Sequence, residues 1–521
     1  MGALSAALLV IAFPPHHTPE LAYACLAPAV IWAYLRPSLR LYGGTMLVSQ
    51  AVAWTINLGW LHPVTWSGLF LLGPLVGAWT GLWYLPVWWI MPRMVGKPNA
   101  VRLVAMLGVC GAWVLVEWTR TWVFGGFPWM PLAATQWERI GVLQIAAYTG
   151  AAGVSFVIVA VNVGFAAYAH RLFREGRRGF ARRSQEFFLA MFLLLACLSV
   201  LVSDTTHRAL YTAPFARVAF VQPDIPSTVK WDPAQGEPIL RVLAEQTRDA
   251  ASLHPDLILW PESTTPFPLR GGDPFMGRFV SGLAQRFKVP LLVGADAIEH
   301  PPGGGERFYN AAFVVDPDLG VQTSYYAKRR LVQFGEYIPL RPLFGWIGKF
   351  APLGDDFSPG TDPTPLLVPL PGGTAAFGVL ICYEDLFPAM AASEVRSGAD
   401  ALVVVTNDTW YSGGAAFQHA AHSVLRAVET RRPVLRCGNA GWSGWIDEFG
   451  NIRRVLRNED GSIFYRGVAI ASVTRDIRWI GRNSFYVEHG DWFVLVSAAL
   501  LVLTVLMLGP RSVATFVVPE E

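Results

Sequence analysis

Charged residues are scarce in this chain of 521 residues. Asp, Glu, Lys and Arg make up only 15% of it, while 53% is hydrophobic and 21 residues are tryptophan. A soluble domain usually carries about 25% charged residues, so the composition predicts that much of the chain faces lipid. The net charge of +3 is too small to indicate nucleic-acid binding. The length allows two or three domains.

Cysteine is also rare. The five cysteines form no CxxC pair and have no metal-ligand spacing, so we predict neither a metal site nor a disulfide framework. The sequence has no GxGxxG or P-loop pattern either, and no cofactor is expected. Cys25, Cys110 and Cys197 lie in apolar helical runs, where cysteine usually packs as a small hydrophobe. Cys382 and Cys437 remain to be explained.

Long apolar runs are abundant, and they cluster at the two ends of the chain. Several reach the roughly 18–20 residues that a helix needs to cross a bilayer. We predict an α-helical membrane bundle of about eight spans, near Gly2–Pro14, Leu21–Leu35, Gly44–Trp60, Gly68–Met91, Val101–Trp118, Leu143–Tyr168, Phe187–Val202 and Trp492–Gly509. The first is short, which predicts a start upstream of Met1 or a half-formed span; a cleaved signal peptide is the alternative.

The loops between these runs alternate in basic charge. The basic loops carry Arg36 and Arg40, then Arg93, Lys97 and Arg102, then Arg171, Arg174, Arg177, Arg178, Arg182 and Arg183. The positive-inside rule makes these loops cytoplasmic, so Ser203–Asp491 lies outside an inner (cytoplasmic) bacterial membrane. We predict a seven-span bundle at 1–203, a periplasmic domain at 204–488, and a last membrane helix with a short cytoplasmic tail at 489–521.

From Arg217 onwards the pattern changes to short β-rich runs separated by turns. Eight of them read as strands: VAFVQPDI, DLILWPES, PLLVGADA, AAFVVDP, FGVLICYED, ALVVVTND, PVLRCGNAG and GVAIASV. Helical stretches separate some of them, such as Pro238–Leu253 and Gln418–Thr430. Continuous apolar strands that alternate with helices predict a layered α/β domain around a buried sheet.

Three strand ends in this domain carry reactive side chains. Glu262 follows a strand in LILWPES, Lys328 lies in YYAKRRLVQFGEYIP, and Cys382 ends a strand in LICYEDLFP. Each alone has an ordinary alternative: a helix cap, a surface charge and a packed thiol. Together they supply a base for the thiol proton, an ammonium for a carbonyl oxyanion and a nucleophile. This combination indicates acyl transfer.

The ordered motifs also resemble a known family. Glu262 in WPES, Lys328 in YYAKRRLVQFGEYIP and Cys382 in ICYED resemble the Glu–Lys–Cys triad of the nitrilase superfamily. With the flanking spans, GFPWMPL, VQPDIPSTVKWDP and NDTWYSGGAAFQHAAHSVLRAVETRRP, the whole chain is similar to the apolipoprotein N-acyltransferases. The resemblance implies an α-β-β-α sandwich. It also implies that a glycerophospholipid acylates Cys382 as a thioester, and that the α-amine of a diacylglyceryl-cysteine apolipoprotein then takes the acyl chain.

The same resemblance implies supporting residues. Glu336 and Glu384 match positions that support the triad, and Trp231 and Tyr383 match substrate contacts. For each, packing is the alternative. Cys437 stands where the family generally has a small hydroxyl residue, and we interpret it as packing. His419 and His422 have helical spacing in QHAAH; helix packing is favoured over a metal pair or a Cys–His dyad.

The segment Arg341–Gly360 is rich in Trp, Phe, Pro and Gly. We interpret it as an arm that dips into the membrane interface and admits lipid, with Trp346 and Phe350 as its apolar contacts. An ordinary packed loop is the alternative.

Two other functions remain open on the sequence. A membrane-anchored amidase would use the same triad, although a soluble amide needs no membrane platform. A non-enzymatic scaffold would predict the loss of a triad member, and all three are present.

Overall fold

The structure is a computed structural model that describes residues 1–175, 184–206, 208–230, 232–346, 356–410 and 413–509. Its first part is helical: α1 (Gly2–Ala12), α2 (Ala27–Tyr34), α3 (Leu39–Asn57), α4 (Trp66–Gly81), α5 (Tyr84–Met94), α6 (Asn99–Thr119), α7 (Ile140–Leu143), α8 (Ala146–Thr149), α9 (Ala151–Glu175) and α10 (Gln185–Thr205). The last long helix, α19 (Trp492–Leu508), packs along α6. These helices form one bundle.

Four helices in the described residues are long and apolar enough to cross a membrane: Trp66–Met94, Asn99–Thr119, Ala151–Arg174 and Gln185–Thr205. Gly2–Ala12, Ile140–Thr149 and Trp492–Leu508 are apolar but shorter. The predicted span Leu21–Leu35 consists of a 3₁₀ turn followed by the eight-residue α2. The described residues therefore contain a bundle of apolar helices, of which four are long and apolar enough to span a membrane, rather than a clear set of eight.

The predicted span Leu143–Tyr168 is interrupted at Gly150. Its φ of +66° lies in the left-handed region, and a Cβ on it would lie 2.6 Å from the ring of Tyr486. Glycine alone fits both the turn and this close approach. Helix α9 consequently starts at Ala151.

In the part of the chain that the structure describes, twelve strands form two six-stranded sheets. They are β1 (Thr212–Gln222), β2 (Leu257–Trp260), β3 (Leu291–Glu299), β4 (Arg307–Asp316), β5 (Gly320–Ala327), β6 (Leu366–Leu370), β7 (Gly373–Ile381), β8 (Ala401–Thr406), β9 (Val434–Gly438), β10 (Gly444–Ile446), β11 (Ile452–Val455) and β12 (Gly467–Asp476). The strand orders are β12-β1-β2-β3-β4-β5 and β11-β10-β9-β8-β7-β6. All eight predicted strands are present, and β5, β6, β10 and β11 are additional.

The remaining helices are α11 (Arg208–Tyr211), α12 (Ser227–Lys230), α13 (Gly236–Ala251), α14 (Pro274–Phe287), α15 (Arg341–Phe344), α16 (Pro388–Arg396), α17 (Ala415–Thr430) and α18 (Phe485–His489). One core, with Phe220 and Val403, lies between the two sheets. A second lies between the first sheet and α13 and α14. Helices α16 and α17 cover the other sheet. The prediction of a two-sheet α/β domain is confirmed.

Helix α17 joins this domain to the bundle. Every residue of α17 except Phe417 is buried. The amide of Gln418 accepts hydrogen bonds from the indoles of Trp60 (3.1 Å) and Trp129 (2.8 Å), and it donates to the carbonyl of Pro14 (2.9 Å). The α/β domain therefore packs directly on the helices that precede it.

Candidate active site

Cys382 lies where β7 ends and a 3₁₀ turn, Cys382–Leu386, begins. Its φ of +52° is left-handed, which costs a non-glycine residue about 1–2 kcal/mol. The residue is only 6% exposed, so its thiol is almost completely buried. Such a backbone persists only where its surroundings hold it, so the direction of Sγ is fixed by the fold.

Glu262 and Lys328 meet beside this thiol from two other strand ends. Glu262 follows β2, Lys328 follows β5, and Lys328 Nζ lies 3.2 Å from Glu262 Oε1. Nζ also lies 2.7 Å from Oε1 of Glu336. The amide of Asn310 donates to both carboxylates, at 2.7 and 3.1 Å. The structure thus brings the three predicted triad residues and Glu336 together.

Gly294 of β3 lets the backbone that carries Glu262 approach the sheet. A Cβ at this position would lie 2.2 Å from the carbonyl oxygen of Pro261 and 2.8 Å from the Cα of Glu262. Any side chain at Gly294 would therefore force the backbone of Pro261 and Glu262 to move.

Burial and charge set the resting protonation of the site. Burial raises the pKa of Cys382 well above its ordinary value, and Glu262 raises it further, while Lys328 opposes them. Burial acts to lower the pKa of Lys328, but Glu262 and Glu336 outweigh it and hold the pKa well above its ordinary value. The lysine is therefore an ammonium and the cysteine a neutral thiol at neutral pH. The nucleophile forms only when a base accepts its proton.

Glu384 connects the turn of Cys382 to the backbone that follows Lys328. One carboxylate oxygen accepts from the backbone N–H groups of Arg329 (2.6 Å) and Arg330 (3.0 Å). The other accepts from the hydroxyl of Tyr326 (2.9 Å) and the N–H of Ile381 (2.7 Å). The side chain is fully buried. It sets the position of the ammonium relative to the thiol.

We expect Glu384→Gln to destabilise the protein and slow its reaction. A carboxamide has one acceptor oxygen, so one pair of the four donors loses its partner, at about 1–3 kcal/mol for each buried unsatisfied group. The melting temperature and the rate of Cys382 acylation should both decrease. Glu245→Gln, on the exposed face of α13, is the control. A wild-type melting temperature and rate in Glu384→Gln would contradict this role.

Two family profiles match the chain: "Apolipoprotein N-acyltransferase N-terminal domain" over residues 5–164 and "Carbon-nitrogen hydrolase" over residues 217–486. The apolipoprotein N-acyltransferase of Geobacter metallireducens is 31% identical over 96% of this chain and 94% of its own length. The chain belongs to the apolipoprotein N-acyltransferase family. The Methylococcus capsulatus protein of the same name is 32% identical over 81% of the chain and 75% of its own length. Family membership makes the chain an acyltransferase with a carbon–nitrogen hydrolase domain.

Among solved structures, Nit3 of Saccharomyces cerevisiae, from the nitrilase superfamily, is 21% identical with a TM-score of 0.38. It covers 54% of this chain and 96% of its own. An amidase from Nesterenkonia sp. is 20% identical with a TM-score of 0.37 and covers 51% and 92%.

In this member of the apolipoprotein N-acyltransferase family, Tyr383 contacts the N-terminal domain, residues 5–164. Its hydroxyl donates to the carbonyl of Gly126 (2.7 Å). Arg330 donates to the carbonyls of Thr121 and Gly125 in the same loop. The residue predicted as a substrate contact thus holds the GGFPW loop of the bundle next to the nucleophile turn.

Of the other predicted residues, two are described by the structure and two are not. Trp346 lies two residues after the end of α15 and is 60% exposed. Trp231 and Phe350 lie outside the described residues. Cys437 of β9 is fully buried, and its sulfur lies 3.4 Å from the carbonyl oxygens of Val221 and Leu259. This position is consistent with the interpretation of Cys437 as packing.

Two features of the site escaped the sequence analysis. Asn310 joins the carboxylates of Glu262 and Glu336, and the sequence signal was available: a polar amide directly before the apolar strand run AAFVVD. His419 was interpreted as helix packing, but its ring lies between Asp385 and Asp408. No local pattern links these three residues, because they come from three separate segments.

Proposed function

We propose that the protein transfers an acyl chain from a membrane glycerophospholipid to the α-amine of the N-terminal diacylglyceryl-cysteine of apolipoproteins. The acyl chain passes through a thioester on Cys382, and Glu262, Lys328 and Cys382 are the catalytic residues. This reaction completes lipoprotein maturation, and it needs no metal or cofactor in this scheme.

One observation carries the proposal. The buried ion pair of Glu262 and Lys328 lies beside the thiol of Cys382, in a domain that packs on a bundle of apolar helices. The geometry supplies a base, a cation and a nucleophile. The bundle would hold the domain at the membrane, where both lipid substrates are located.

In the first half-reaction, Glu262 accepts the proton of the Cys382 thiol as Sγ attacks the ester carbonyl of the phospholipid. The ammonium of Lys328, with the backbone N–H of Tyr383, stabilises the tetrahedral oxyanion. When the C–O bond breaks, the protonated Glu262 returns the proton to the leaving oxygen. The products are a lysophospholipid and the thioester.

In the second half-reaction, the α-amine of the lipoprotein attacks the thioester carbonyl. Glu262 accepts a proton from the amine, and Lys328 again stabilises the oxyanion. Breakage of the C–S bond forms the amide, and the proton on Glu262 returns to the sulfur of Cys382. The enzyme is then ready for another phospholipid.

The test is to incubate the purified full-length protein with phospholipid and a synthetic diacylated lipopeptide, and to weigh the peptide by mass spectrometry. We expect the mass of one added acyl chain. A peptide of unchanged mass, with an amine or ammonia released from an amide substrate instead, favours the membrane-anchored amidase.

We also propose the domain limits 1–203, 204–488 and 489–521. The bundle is proposed to have about eight spans in the bacterial inner membrane, with the catalytic domain on the periplasmic side. Helix α10 runs from the arginine-rich loop to the catalytic domain, and its 21 residues span about 31 Å at 1.5 Å per residue. The loop and the domain thus lie at opposite ends of a helix as long as a bilayer is thick. Residues 176–183 of that loop lie outside the described residues.

Labelling of single cysteines tests this orientation. A membrane-impermeant maleimide added from the periplasmic side should label Leu319→Cys, an exposed position of the β4–β5 hairpin, and not Arg174→Cys. Labelling of Arg174→Cys from the periplasm would reverse the topology.

The segment Arg341–Gly360 is proposed as the arm through which the phospholipid enters. Leu343 and Trp346 in this segment are 65% and 60% exposed, and Leu340 directly before it is 70% exposed. Exposed apolar residues at this density are costly in water and favourable at a membrane interface. Residues 347–355, including Phe350, are not among the described ones.

We expect the double variant Trp346→Ser with Phe350→Ser to raise the KM for phospholipid about 10-fold or more, because burial of each large side chain contributes about 1.5–3 kcal/mol. Acylation by a small soluble thioester should be unchanged. Leu319→Ser, which removes an exposed apolar side chain elsewhere, is the control. Equal losses with both donors would indicate a structural role.

A further inference from the structure

A second charged cluster lies behind Cys382, and the proposed chemistry does not use it. Its members are fully or almost fully buried: Asp385 follows the nucleophile, Asp408 follows β8, His419 is on α17 and Arg436 is on β9. Arg436 lies 3.0 Å from Asp385 and 3.2 Å from Asp408. The two aspartates have two cationic partners, and a charge-balanced cluster of this kind holds its geometry rigidly.

The contacts of His419 define its protonation. Nδ1 lies 3.1 Å from Asp408 Oδ1. Nε2 lies 3.0 Å from Asp385 Oδ1 and 3.2 Å from the carbonyl oxygen of Cys382. Both ring nitrogens thus face only acceptors, and both must carry a proton to donate. His419 is an imidazolium, and it donates to the peptide group of the nucleophile.

This contact acts on the strained residue of the site. Cys382 holds a left-handed backbone. The N–H of the preceding residue, Ile381, donates to Glu384 (2.7 Å), and the carbonyl of Cys382 itself accepts from His419 (3.2 Å). Two buried side chains thus hold the backbone one residue before Cys382 and directly after its Cα.

The membrane bundle covers the same histidine. The ring of Trp129, which is 2% exposed, lies 5.7 Å from the ring of His419 and 6.0 Å from that of His422. The N–H of Met130 donates to His422 Nε2 (3.2 Å). Trp129 excludes water from the cluster, which strengthens its ionic contacts. It also ties the GFPWMPL loop to the turn of the nucleophile.

We propose that His419 is a positioning residue: held as an imidazolium between Asp385 and Asp408, it fixes the carbonyl of Cys382 and thereby the direction of Sγ. It does not touch the substrate. The inference rests on the proposed role of Cys382 as the nucleophile.

The charge of His419 gives the proposal a pH dependence. The groups that face it are Asp385, Asp408, Arg436 and, on its own helix, His422. Burial and Arg436 act to lower the pKa of His419, but the two aspartates outweigh them and raise it above its ordinary value. The positioning contact is therefore complete below about pH 6.5, and it is lost as the pH rises through the raised pKa.

The test compares His419→Gln with His422→Gln in the full-length protein. His422 is equally buried, lies one helical turn away and also packs on Trp129, but it contacts Met130 rather than Cys382. Two rates are measured by intact mass and peptide mapping: alkylation of Cys382 by iodoacetamide, and thioester formation with phosphatidylglycerol vesicles.

We expect both rates to fall about 10²-fold in His419→Gln, the size of effect that a misplaced reacting group produces, with the KM for phospholipid unchanged. His422→Gln should stay within a few-fold of wild type. Wild-type rates in His419→Gln overturn the proposal. The proposal is also overturned if both variants lose rate equally and in proportion to their decrease in melting temperature, because this indicates a purely structural role.

If His419→Gln does not fold, Asp408→Asn provides the test. It keeps the shape of the cluster but removes a charge that stabilises the imidazolium, so the descending alkaline limb of thioester formation should move to lower pH. An unmoved limb overturns the proposal. If iodoacetamide alkylates wild-type Cys382 but phospholipid gives no adduct, the proposed function is contradicted. The alkylation rates of the wild type and the two variants still test the role of His419.

Discussion

With phospholipid alone, the protein should gain the mass of one acyl chain, mapped to Cys382 and removed by neutral hydroxylamine. The reaction proceeds in two half-reactions, so the acyl-enzyme must accumulate when no amine acceptor is present. Cys382→Ser should form no adduct. Burial already raises the pKa of the thiol far above its ordinary value, and a hydroxyl in the same place is harder still to ionise.

Cys437→Ser is the matched control for this experiment. Cys437 is buried even more completely than Cys382, and burial raises its pKa as well. Its sulfur faces the carbonyls of Val221 and Leu259 rather than Glu262 and Lys328. The Cys437→Ser variant should acquire the acyl chain as the wild type does. An adduct mapped to any residue other than Cys382 contradicts the mechanism, even if the peptide product is correct.

The fold was predictable where burial dominates the sequence. The predicted strands VAFVQPDI and ALVVVTND correspond to β1 and β8, central strands whose apolar runs are continuous because both faces are covered. The additional strands β5, β6 and β11 lie at sheet edges, and β10 has only three residues. Strands β5 and β11 are largely polar, and most residues of β5 are at least partly exposed, while β6 has only five residues and contains Pro369. Such a pattern does not differ from that of a loop.

The candidate site divides in the same way. Glu262, Lys328 and Cys382 each follow a strand inside a specific motif, so their side chains could be named from the sequence. Asn310 and His419 act through partners far away in the chain: Asn310 is 48 residues from Glu262, and His419 is 37 from Cys382. Such contacts exist only once the sheets have packed, which no local pattern encodes.

The number of spans was less predictable than their presence. Apolar composition identifies Asn99–Thr119 and Gln185–Thr205 without ambiguity. Elsewhere in the bundle, prolines and glycines interrupt similarly apolar runs, and the products are short helices such as α2 and α8. Hydropathy averages over these breaks, and the interruption at Gly150 depends on contact with Tyr486 in another part of the chain.

The other large effect is expected at the ion pair. Glu262→Gln and Lys328→Met should each reduce the rate of thioester formation at least about 10²–10³-fold, the loss typical of a missing oxyanion donor or general base. Glu262→Gln keeps the volume of the side chain and the hydrogen bond from Asn310, so its melting temperature should stay close to that of the wild type. Lys328→Met differs. It removes the cation that the buried carboxylates of Glu262 and Glu336 share, although both still accept from the amide of Asn310. The loss should lower the free energy of unfolding by about 3–5 kcal/mol.

A double variant separates stability from catalysis at this pair. Lys328→Met with Glu336→Gln removes the ammonium together with one of the two carboxylates that it neutralises. Most of the lost thermal stability should return, because a single carboxylate that accepts from Asn310 remains. The rate of thioester formation should not recover, since no cation faces the developing oxyanion. Recovery of the rate together with the stability would show that Lys328 serves the fold and not the reaction, and the triad would then have to be reassigned.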